Sequence, residues 1–236
     1  MKIGQFVHIL AILLLIIGFV QPVMAAENET KDAATDFYNR GVLLLESKEY
    51  ERAIVAFDQA LASNTTMIRW SDALLYTYQN KAYALIQLNN YTAAVQTIDQ
   101  GLAVYGNDEK LWYNKGYALF KLEKYQDALK AYDKVLLINN QSVPALNNRG
   151  DTLFQIGRYQ DAIDAYTLVN TTDPGNSYAV AGLAKARSAA ATANQTMIII
   201  LGIILVVAAG GIIYYIKHRK PAEEKKPEKK SKGKKK

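Results

Sequence analysis

Cysteine is absent from this chain of 236 residues, and histidine occurs only as His8 and His218. Without cysteine the protein has no disulfide, zinc thiolate or lipid-modified thiol, so its stability must come from packing. The long stretch between the two histidines therefore excludes Ser-His-Asp, Cys-His and His-metal chemistry. A glycine-rich phosphate loop is absent as well. These absences predict a protein that is not an enzyme, with no cofactor and no metal site.

What the chain does contain is a pattern, seen most clearly in Leu111–Asn140. Read at helical period, this stretch predicts two amphipathic helices joined by a tight turn near Glu123–Tyr125. The small residues Gly116 and Ala128 stand on the facing sides of these helices and allow them to approach closely. A lone hairpin cannot bury such a face, so the sequence should repeat.

The pattern recurs with a period of about 34 residues, in four copies. The small residue of the first helix is Gly41, Ala82, Gly116 and Gly150, and the alanine of the second helix is Ala53, Ala94, Ala128 and Ala162. The turn tyrosine is Tyr50, Tyr91, Tyr125 and Tyr159, and the large residue four positions after the alanine is Phe57, Ile98, Tyr132 and Tyr166. Each small residue is preceded by an asparagine and a basic residue.

On these residues, the chain resembles the tetratricopeptide repeat (TPR) family over residues 33–192. The resemblance implies an all-α protein, a right-handed α-solenoid of helical hairpins with a capping helix, whose concave face is a binding groove. We expect repeats at about 34–66, 75–108, 109–142 and 143–176, and a cap helix at 177–192 with Ala184 at the small-residue position. The expected helix pairs are 33–46 with 51–63, 72–88 with 92–104, 109–122 with 126–139, and 143–156 with 160–170.

The departures from the family pattern leave this hairpin logic intact. A basic residue replaces the family's leucine before each small residue, and the signature tryptophan occurs only as Trp112. The closing proline survives only as Pro174. Extra residues around Asn64–Ser71 lengthen the joint between the first two units.

The N-terminus has the layout of a secretory signal. Residues 1–25 carry the basic Lys2, continue with the apolar core Ile9–Val20, and end with Val23 and Ala25 at a small-residue cleavage site. An uncleaved anchor is the competing interpretation. Either interpretation exports a short N-terminal segment, 26–32, together with the repeats.

The C-terminus predicts a membrane span. Residues 197–216 carry no charge over 20 positions, enough to cross a hydrocarbon layer of about 30 Å. Residues 217–236 hold 11 Lys or Arg and three Glu, a net charge of +8. This basic tail predicts a disordered cytoplasmic end by the positive-inside rule, and attraction to anionic lipid is a second, compatible interpretation. The basic isoelectric point thus belongs to the tail and does not indicate nucleic-acid binding.

Glycosylation acceptors support the same topology. Six Asn-x-Ser/Thr sequences occur, all between the signal and the span. The candidates are Asn28, Asn64, Asn90, Asn140 and Asn170, while Asn194 is too near the span. Turns are rich in Asn and Thr in any case, which is the alternative explanation. We expect a single-pass membrane glycoprotein with an extracytoplasmic TPR domain.

The repeat register implies which side chains face the groove. The candidate protein-binding residues are Tyr38, Tyr83, Tyr113, Tyr117, Phe120, Asn147, Asp151 and Phe154. Aromatic rings provide contact area at low entropic cost, and neighbouring amides can hold a peptide backbone. The family's carboxylate clamp is not indicated, because Tyr38 and Val42 occupy its first positions. Asp58, Asp99 and Asp133 share one repeat position and predict solvated helix faces.

Two functions are compatible with this pattern. The first is a membrane-anchored scaffold that holds a peptide or helix of another envelope or membrane protein in its groove. The alternative is a structural subunit of a cell-envelope assembly that contacts neighbours through its convex face and leaves the groove unused. Neither hypothesis involves nucleic acid.

Overall fold

The computed structural model describes residues 33–63 and 72–219, and its regular structure there is entirely α-helical. The predicted signal, Asn28, Asn64 and the basic tail from residue 220 lie outside the described residues. Helix α1 comprises residues 33–46. It is followed by α2 (Tyr50–Ala62), α3 (Asp72–Gln87), α4 (Tyr91–Val104), α5 (Glu109–Lys121), α6 (Tyr125–Ile138), α7 (Val143–Gln155), α8 (Tyr159–Thr172) and α9 (Ser177–His218).

The first eight helices form four antiparallel hairpins, and their bounds lie within about two residues of the expected ones. Each hairpin turn uses one residue in the left-handed region, with φ of 60° at Lys48, 58° at Asn89, 59° at Glu123 and 75° at Gly157. The amide of the following residue then donates to the carbonyl five positions earlier, as Lys124 does to Leu119 at 2.9 Å. This Schellman arrangement ends each first helix and reverses the chain.

The seam inside each hairpin is formed by a small residue and a ring. A Cβ atom placed on Gly116 would lie 2.6 Å from the ring of Tyr132, and one on Gly150 would lie 2.7 Å from Tyr166. The first hairpin pairs Gly41 with Phe57 in the same way. In the second hairpin, Ala82 stands at the glycine position and the smaller Ile98 replaces the ring. Both residues are fully buried. The added methyl group is therefore accompanied by a smaller partner, which conserves volume.

Ion pairs connect successive hairpins through the recurring aspartates, whose side chains are more than half exposed, as expected, but are paired with a basic residue of the next hairpin. Lys81 bonds Asp58 at 2.5 Å, Lys115 bonds Asp99 at 2.6 Å, and Arg149 bonds Asp133 at 2.7 Å. In each pair the basic residue precedes the small residue of its own hairpin, and the aspartate belongs to the hairpin before it. The basic residues that depart from the family pattern thus hold neighbouring repeats together. We call this set the inter-repeat ion pairs.

The structure also corrects the expected separation of the cap helix from the membrane span, because both belong to α9. Residues 193–196 contain neither proline nor glycine, so nothing there ends a helix. The chain divides into two compact units at Arg187 and Ser188. In the first unit, Ala179 and Ala186 are fully buried, whereas Ala184 is exposed.

In the second unit, the apolar residues of α9 are exposed. An 18-residue window has a mean hydropathy of 2.8, and none of it is buried. By length and composition, this helix is able to cross a membrane.

Candidate protein-binding groove

The predicted groove residues lie on the first helices of the hairpins, and Tyr83 and Tyr113 line one cavity. This cavity, which we call the central chamber, has a volume of about 390 Å³. Its lining comes from α3, α5 and the start of α7. The lining includes Asn80, Tyr83, Lys110, Tyr113, Asn114 and Pro144. Tyr83 is 43% exposed, so its ring is available to a partner.

The acidic groups around the central chamber have partners within the protein. Asp108 accepts two bonds of 3.0 Å from Nε2 of Gln79 and also caps α5 by accepting from the Leu111 amide at 2.8 Å. Glu109 accepts from Nδ2 of Asn139 at 3.2 Å. These bonds fix the wall of the chamber and its acidic side chains.

The asparagines beside the small residues are not equivalent. Asn148 donates from Nδ2 to Oη of Tyr113 at 3.0 Å, which connects the third and fourth hairpins. Asn80 hydrogen-bonds Tyr38 of the first hairpin in the same way. Burial raises the pKa of both tyrosines, which keeps the phenols protonated. In the second hairpin, Gln79 stands where the first and third hairpins have Tyr38 and Tyr113. The phenol that would accept from Asn114 is therefore missing, and within the described part of the chain Asn114 has no side-chain hydrogen bond.

A second cavity, the end chamber, has a volume of about 160 Å³ and includes Tyr117, Phe120, Asp151 and Tyr178 in its lining. Here the carboxylate of Asp151 is shared by two phenols. Tyr166 donates to Oδ1 at 2.5 Å, and Tyr178, from the first turn of α9, donates to Oδ2. Burial and the carboxylate raise the pKa of Tyr178 to about 12. We call these three residues the Asp151 clasp.

Other predicted groove residues contribute mainly to internal packing. Rings of Tyr38 and Phe57 lie 6.3 Å apart, and those of Phe120 and Tyr125 lie 5.5 Å apart. Phe154 packs on Tyr159 at 5.3 Å.

Asn147 differs from these aromatic residues. Its Oδ1 atom is buried, and it has no hydrogen-bond partner among the residues that the structure describes. An acceptor left unpaired in this way costs about 1–3 kcal/mol.

Sequence reasoning missed several residues that shape these chambers. Lys110 and Pro144 line the central chamber, and Lys185 of α9 places Nζ 4.4 Å from the ring centroid of Phe154. Lys110, Pro144 and Tyr178 share one repeat position, as does the exposed Tyr76. A comparison of that position across the hairpins would have found them.

None of the predicted glycosylation acceptors within the described residues lines either chamber. Asn90 and Asn140 are exposed in turns, and Oδ1 of Asn90 also caps α4 by accepting from the Ala93 amide at 3.3 Å. Asn170 is half-buried in the last turn of α8. In the described ranges 33–63 and 72–219, no group of three or more acidic or histidine side chains is arranged to hold a metal ion.

Comparison with known families and structures gives a consistent result. Three family models, each described as tetratricopeptide repeat, match residues 44–115, 109–142 and 143–176. No curated protein matches the chain.

One solved structure of similar fold is the crystal structure of MamA protein, which is 16% identical in sequence. The match covers 71% of this chain and 87% of that chain, with a TM-score of 0.62. A second is YrrB, described as a TPR protein with an unusual peptide-binding site, which is 23% identical. The match covers 68% of this chain and 79% of that chain, with a TM-score of 0.58. A third is a tetratricopeptide repeat protein from Parabacteroides merdae, which is 14% identical. The match covers 78% of this chain and 70% of that chain, with a TM-score of 0.63. At these identities the similarity establishes the arrangement of helices.

Proposed function

Because this chain belongs to the tetratricopeptide repeat family, we propose that it is a protein-binding scaffold that holds a segment of a partner protein in the central chamber. The observation that carries this proposal is an open cavity of about 390 Å³ on the first helices, bordered by an exposed tyrosine ring. Lys110 and Asn114 line it and have no side-chain partner among the described residues, so both are available to a ligand.

The chemistry of the central chamber suits an extended peptide or a short helix. Tyr83 offers an aromatic surface that loses little side-chain entropy on binding. The Asn114 amide can donate to and accept from a peptide backbone, because it carries both kinds of group. Among proteins of similar fold, YrrB is described as having a peptide-binding site. The family match indicates an interaction scaffold, and no catalytic family is indicated.

We further propose that this scaffold is a single-pass membrane protein with its repeats outside the cytoplasm. Residues 1–25 would direct export, residues 26–32 would form a short N-terminal segment, and residues 33–192 would form the TPR domain. Residues 197–216 of α9 would cross the bilayer, and residues 217–236 would remain cytoplasmic, near anionic lipid. The partner would then be another envelope or membrane protein.

Glycan acceptors support this orientation. Asn90 and Asn140 are exposed in turns, where a sugar chain can be attached, and neither residue lines a chamber. Asn28, Asn64 and Asn170 are the remaining candidates. Protease added to intact cells should digest residues 33–187 and spare the lysine-rich tail, whereas the opposite result would reverse the proposed orientation.

Crosslinked co-purification from native membranes, followed by mass spectrometry, tests the binding role. The full chain carrying Tyr83→Ala and Tyr117→Ala should lose its crosslinked partner. The control is Leu137→Ala, because Leu137 is a 78% exposed residue on the second helix α6 and lines neither chamber. Partner capture that is equal in all three proteins would contradict binding in the groove.

One observation favours the alternative, a structural subunit that uses its outer face. A cavity of about 410 Å³ lies on the surface formed by α4, α5 and α6, with Val95, Trp112 and Leu119 in its lining. If assembly depends on this surface, Val95→Glu should abolish crosslinking while the tyrosine substitutions leave it unchanged. The same co-purification therefore separates the two functions.

A further inference from the structure

The first hairpin carries one half of an inter-repeat ion pair without the other. In the three later hairpins, the basic side chain before the small residue is between 15% and 29% exposed, because it bonds an aspartate of the preceding hairpin. Arg40 stands at this position in the first hairpin. It is exposed and makes no ion pair within the described residues. The cation is therefore available to an acidic group from outside the stack.

Apolar side chains beside Arg40 are uncovered as well. Leu43 is 64% exposed, although the later hairpins bury this position completely. The residues at this position in the later hairpins are Ala84, Ala118 and Thr152. Val55 of α2 is 57% exposed, at a position that is polar in the later hairpins. The polar residues there are Gln96, Lys130 and Asp164. The first hairpin thus has exposed apolar residues that its copies do not have.

A cavity on the first hairpin shows what is missing. It has a volume of about 270 Å³, and its lining includes Arg40, Leu44 and Val55. The outer cavity of about 410 Å³ described above lies at the same place in the third hairpin. Its lining includes the equivalent residues Lys115, Leu119 and Lys130. That cavity is completed by Val95 and Asp99 of the preceding helix α4. The cavity of the first hairpin therefore lacks the side that a preceding helix contributes.

The helices that supply this side within the stack share a pattern. An apolar residue precedes the aspartate by four positions, so both lie on one side of the helix. These pairs are Ile54 and Asp58, Val95 and Asp99, and Leu129 and Asp133. Three positions after Asp99, Leu102 packs in the cluster that contains Leu111. The first hairpin has the exposed Asp36 at the position of Leu111. A helix docked there would meet a carboxylate, which favours a basic residue.

The described helices of a second copy do not match this surface. Their three aspartates of this set are already bonded to basic residues of their own chain. The fourth hairpin has Thr167 at the aspartate position, and Ala179 and Ala186 of α9 pack in its core cluster. Leu43 is also larger than the residues it replaces, so another hairpin of the same kind could not approach as closely. These differences disfavour stacking of copies and favour a different helix.

We propose that the N-terminal face, formed by Asp36, Arg40, Leu43, Leu44 and Val55, docks one amphipathic helix of a partner protein. That helix carries an apolar residue for the cavity, an aspartate four positions later for Arg40, and a basic residue three positions after the aspartate for Asp36. None of the five residues lines the central chamber. The docking therefore does not depend on binding in the groove, and it gives the protein a second interaction surface.

Binding of a helical peptide to the full chain in detergent micelles tests the proposal. The probe is a synthetic peptide with the sequence of α4, Tyr91–Val104, carrying Leu102→Lys. A hydrocarbon link between positions 96 and 100, both exposed in α4, keeps the peptide helical, since a free helix of this length is marginal. A second peptide carries Asp99→Asn in addition. Fluorescence anisotropy of the labelled peptides gives the two dissociation constants.

The ion pair with Arg40 is the first contact to be tested. We expect the peptide with Asp99→Asn to bind at least about threefold more weakly, as for loss of a partly exposed ion pair. Arg40→Gln in the protein should remove this difference, because the aspartate then meets no cation. Adsorption of the peptides to micelles is common to both proteins and cancels in the comparison. Equal affinity of the parent protein for the two peptides would overturn the proposal.

Asp36 provides a second test, in which specificity should reverse. The parent protein should bind the peptide with Leu102→Lys at least about threefold more tightly than the linked peptide that keeps Leu102. In protein carrying Asp36→Leu the preference should change to the leucine peptide, because leucine is the residue that packs beside Leu111 in the stack. An unchanged preference would show that Asp36 does not face the docked helix, and it would overturn the proposed pattern.

Two other occupants of the N-terminal face give different results. If a second copy covers it, analytical ultracentrifugation should show a dimer that Arg40→Glu dissociates. If residues 26–32, which include Glu27 and Glu29, cover it, their deletion should tighten peptide binding at least about tenfold. Either result would overturn docking of a partner helix. A monomer whose peptide affinity is unchanged by the deletion would support it.

Discussion

The seams of the hairpins and the groove that runs across them follow opposite rules. Each seam repeats the same pairing, a small residue against a large one, from Gly41 and Phe57 to Gly150 and Tyr166. The groove residues do not repeat in this way, because one equivalent position holds valine in the first hairpin, tyrosine in the second and third, and aspartate in the fourth. A seam must satisfy the same steric condition in every copy, whereas a groove position is constrained only by what it contacts. The seams therefore specify the fold, and in the proposed function the groove differences would select the partner.

The largest effect is expected from breaking a seam. Gly116→Leu places a side chain where even a Cβ atom would lie 2.6 Å from the Tyr132 ring. We expect the free energy of unfolding to fall by at least about 3 kcal/mol, because neither helix can move away without opening its neighbours. Chemical denaturation followed by circular dichroism measures this loss.

The control for this substitution is Gly106→Leu. A Cβ atom on Gly106 would meet only the Leu102 carbonyl oxygen, at 3.6 Å. A change below about 0.5 kcal/mol is expected there, as for other surface sites. If both leucine variants were equally destabilised, the close approach of ring and glycine would not be the reason.

The next effect concerns alkaline pH. Burial raises the pKa of Tyr132 and Tyr166 above the ordinary value of 10.0, and that of Tyr178 to about 12. Because the unfolded phenols ionise first, the stabilisation is fully present below pH 10 and is lost as the pH rises towards 12 and beyond. Denaturation midpoints should fall over this range.

Lysine deprotonation contributes over the same pH range, so a comparison is needed. Tyr132→Phe removes one seam phenol and keeps the ring, as in the first hairpin, where Phe57 stands at this position. This variant should lose less stability than the parent protein between pH 10 and 12. A decline as steep as that of the parent would assign the alkaline transition to other groups.

Residues at the seams made the fold predictable from sequence. The recurrence of glycine, alanine and tyrosine predicted the hairpins and the turns at Glu123 and its equivalents. Each copy of a repeat must satisfy the same steric condition, so the same residue types recur in each copy. The continuity of α9 was not foreseen, since two expected functions, capping and membrane crossing, suggested two helices. No local signal ended the helix between them.

The groove was only partly predictable. Register predicts that Tyr83 and Tyr113 face the groove, and both line the central chamber, but it did not show that Asp151 accepts from Tyr178, 27 residues later in the chain. Likewise the aspartates of the inter-repeat ion pairs looked like independent solvated residues. Each such contact joins different hairpins, and a single-hairpin pattern contains no information about its neighbour.

A smaller effect is expected from the inter-repeat ion pairs. Lys115 and Asp99 bond at 2.6 Å, but the aspartate side chain is 51% exposed. Asp99→Asn should therefore cost about 0.5–1 kcal/mol, and less at high salt. A double-mutant cycle with Lys115→Met isolates the coupling. A coupling energy near zero would show that these residues determine register without adding stability.

The smallest effect on stability should come from the groove. Tyr83→Ala removes an exposed ring, so we expect the free energy of unfolding to change by less than about 0.5 kcal/mol. The same substitution should reduce partner capture, because the ring borders the central chamber. A large loss of stability would place Tyr83 among the residues of the fold, and the contrast between seam and groove would fail at that position.

The inter-repeat ion pairs also make the array extensible, because the second and third hairpins each carry both halves of the connection. A duplicate of residues 109–142 inserted after residue 142 would bring its own lysine to Asp133 and present its own aspartate to Arg149. Its asparagine would likewise meet Tyr113, and its tyrosine would meet Asn148. The chain can thus accept extra hairpins, and its groove can be lengthened without redesigning either end.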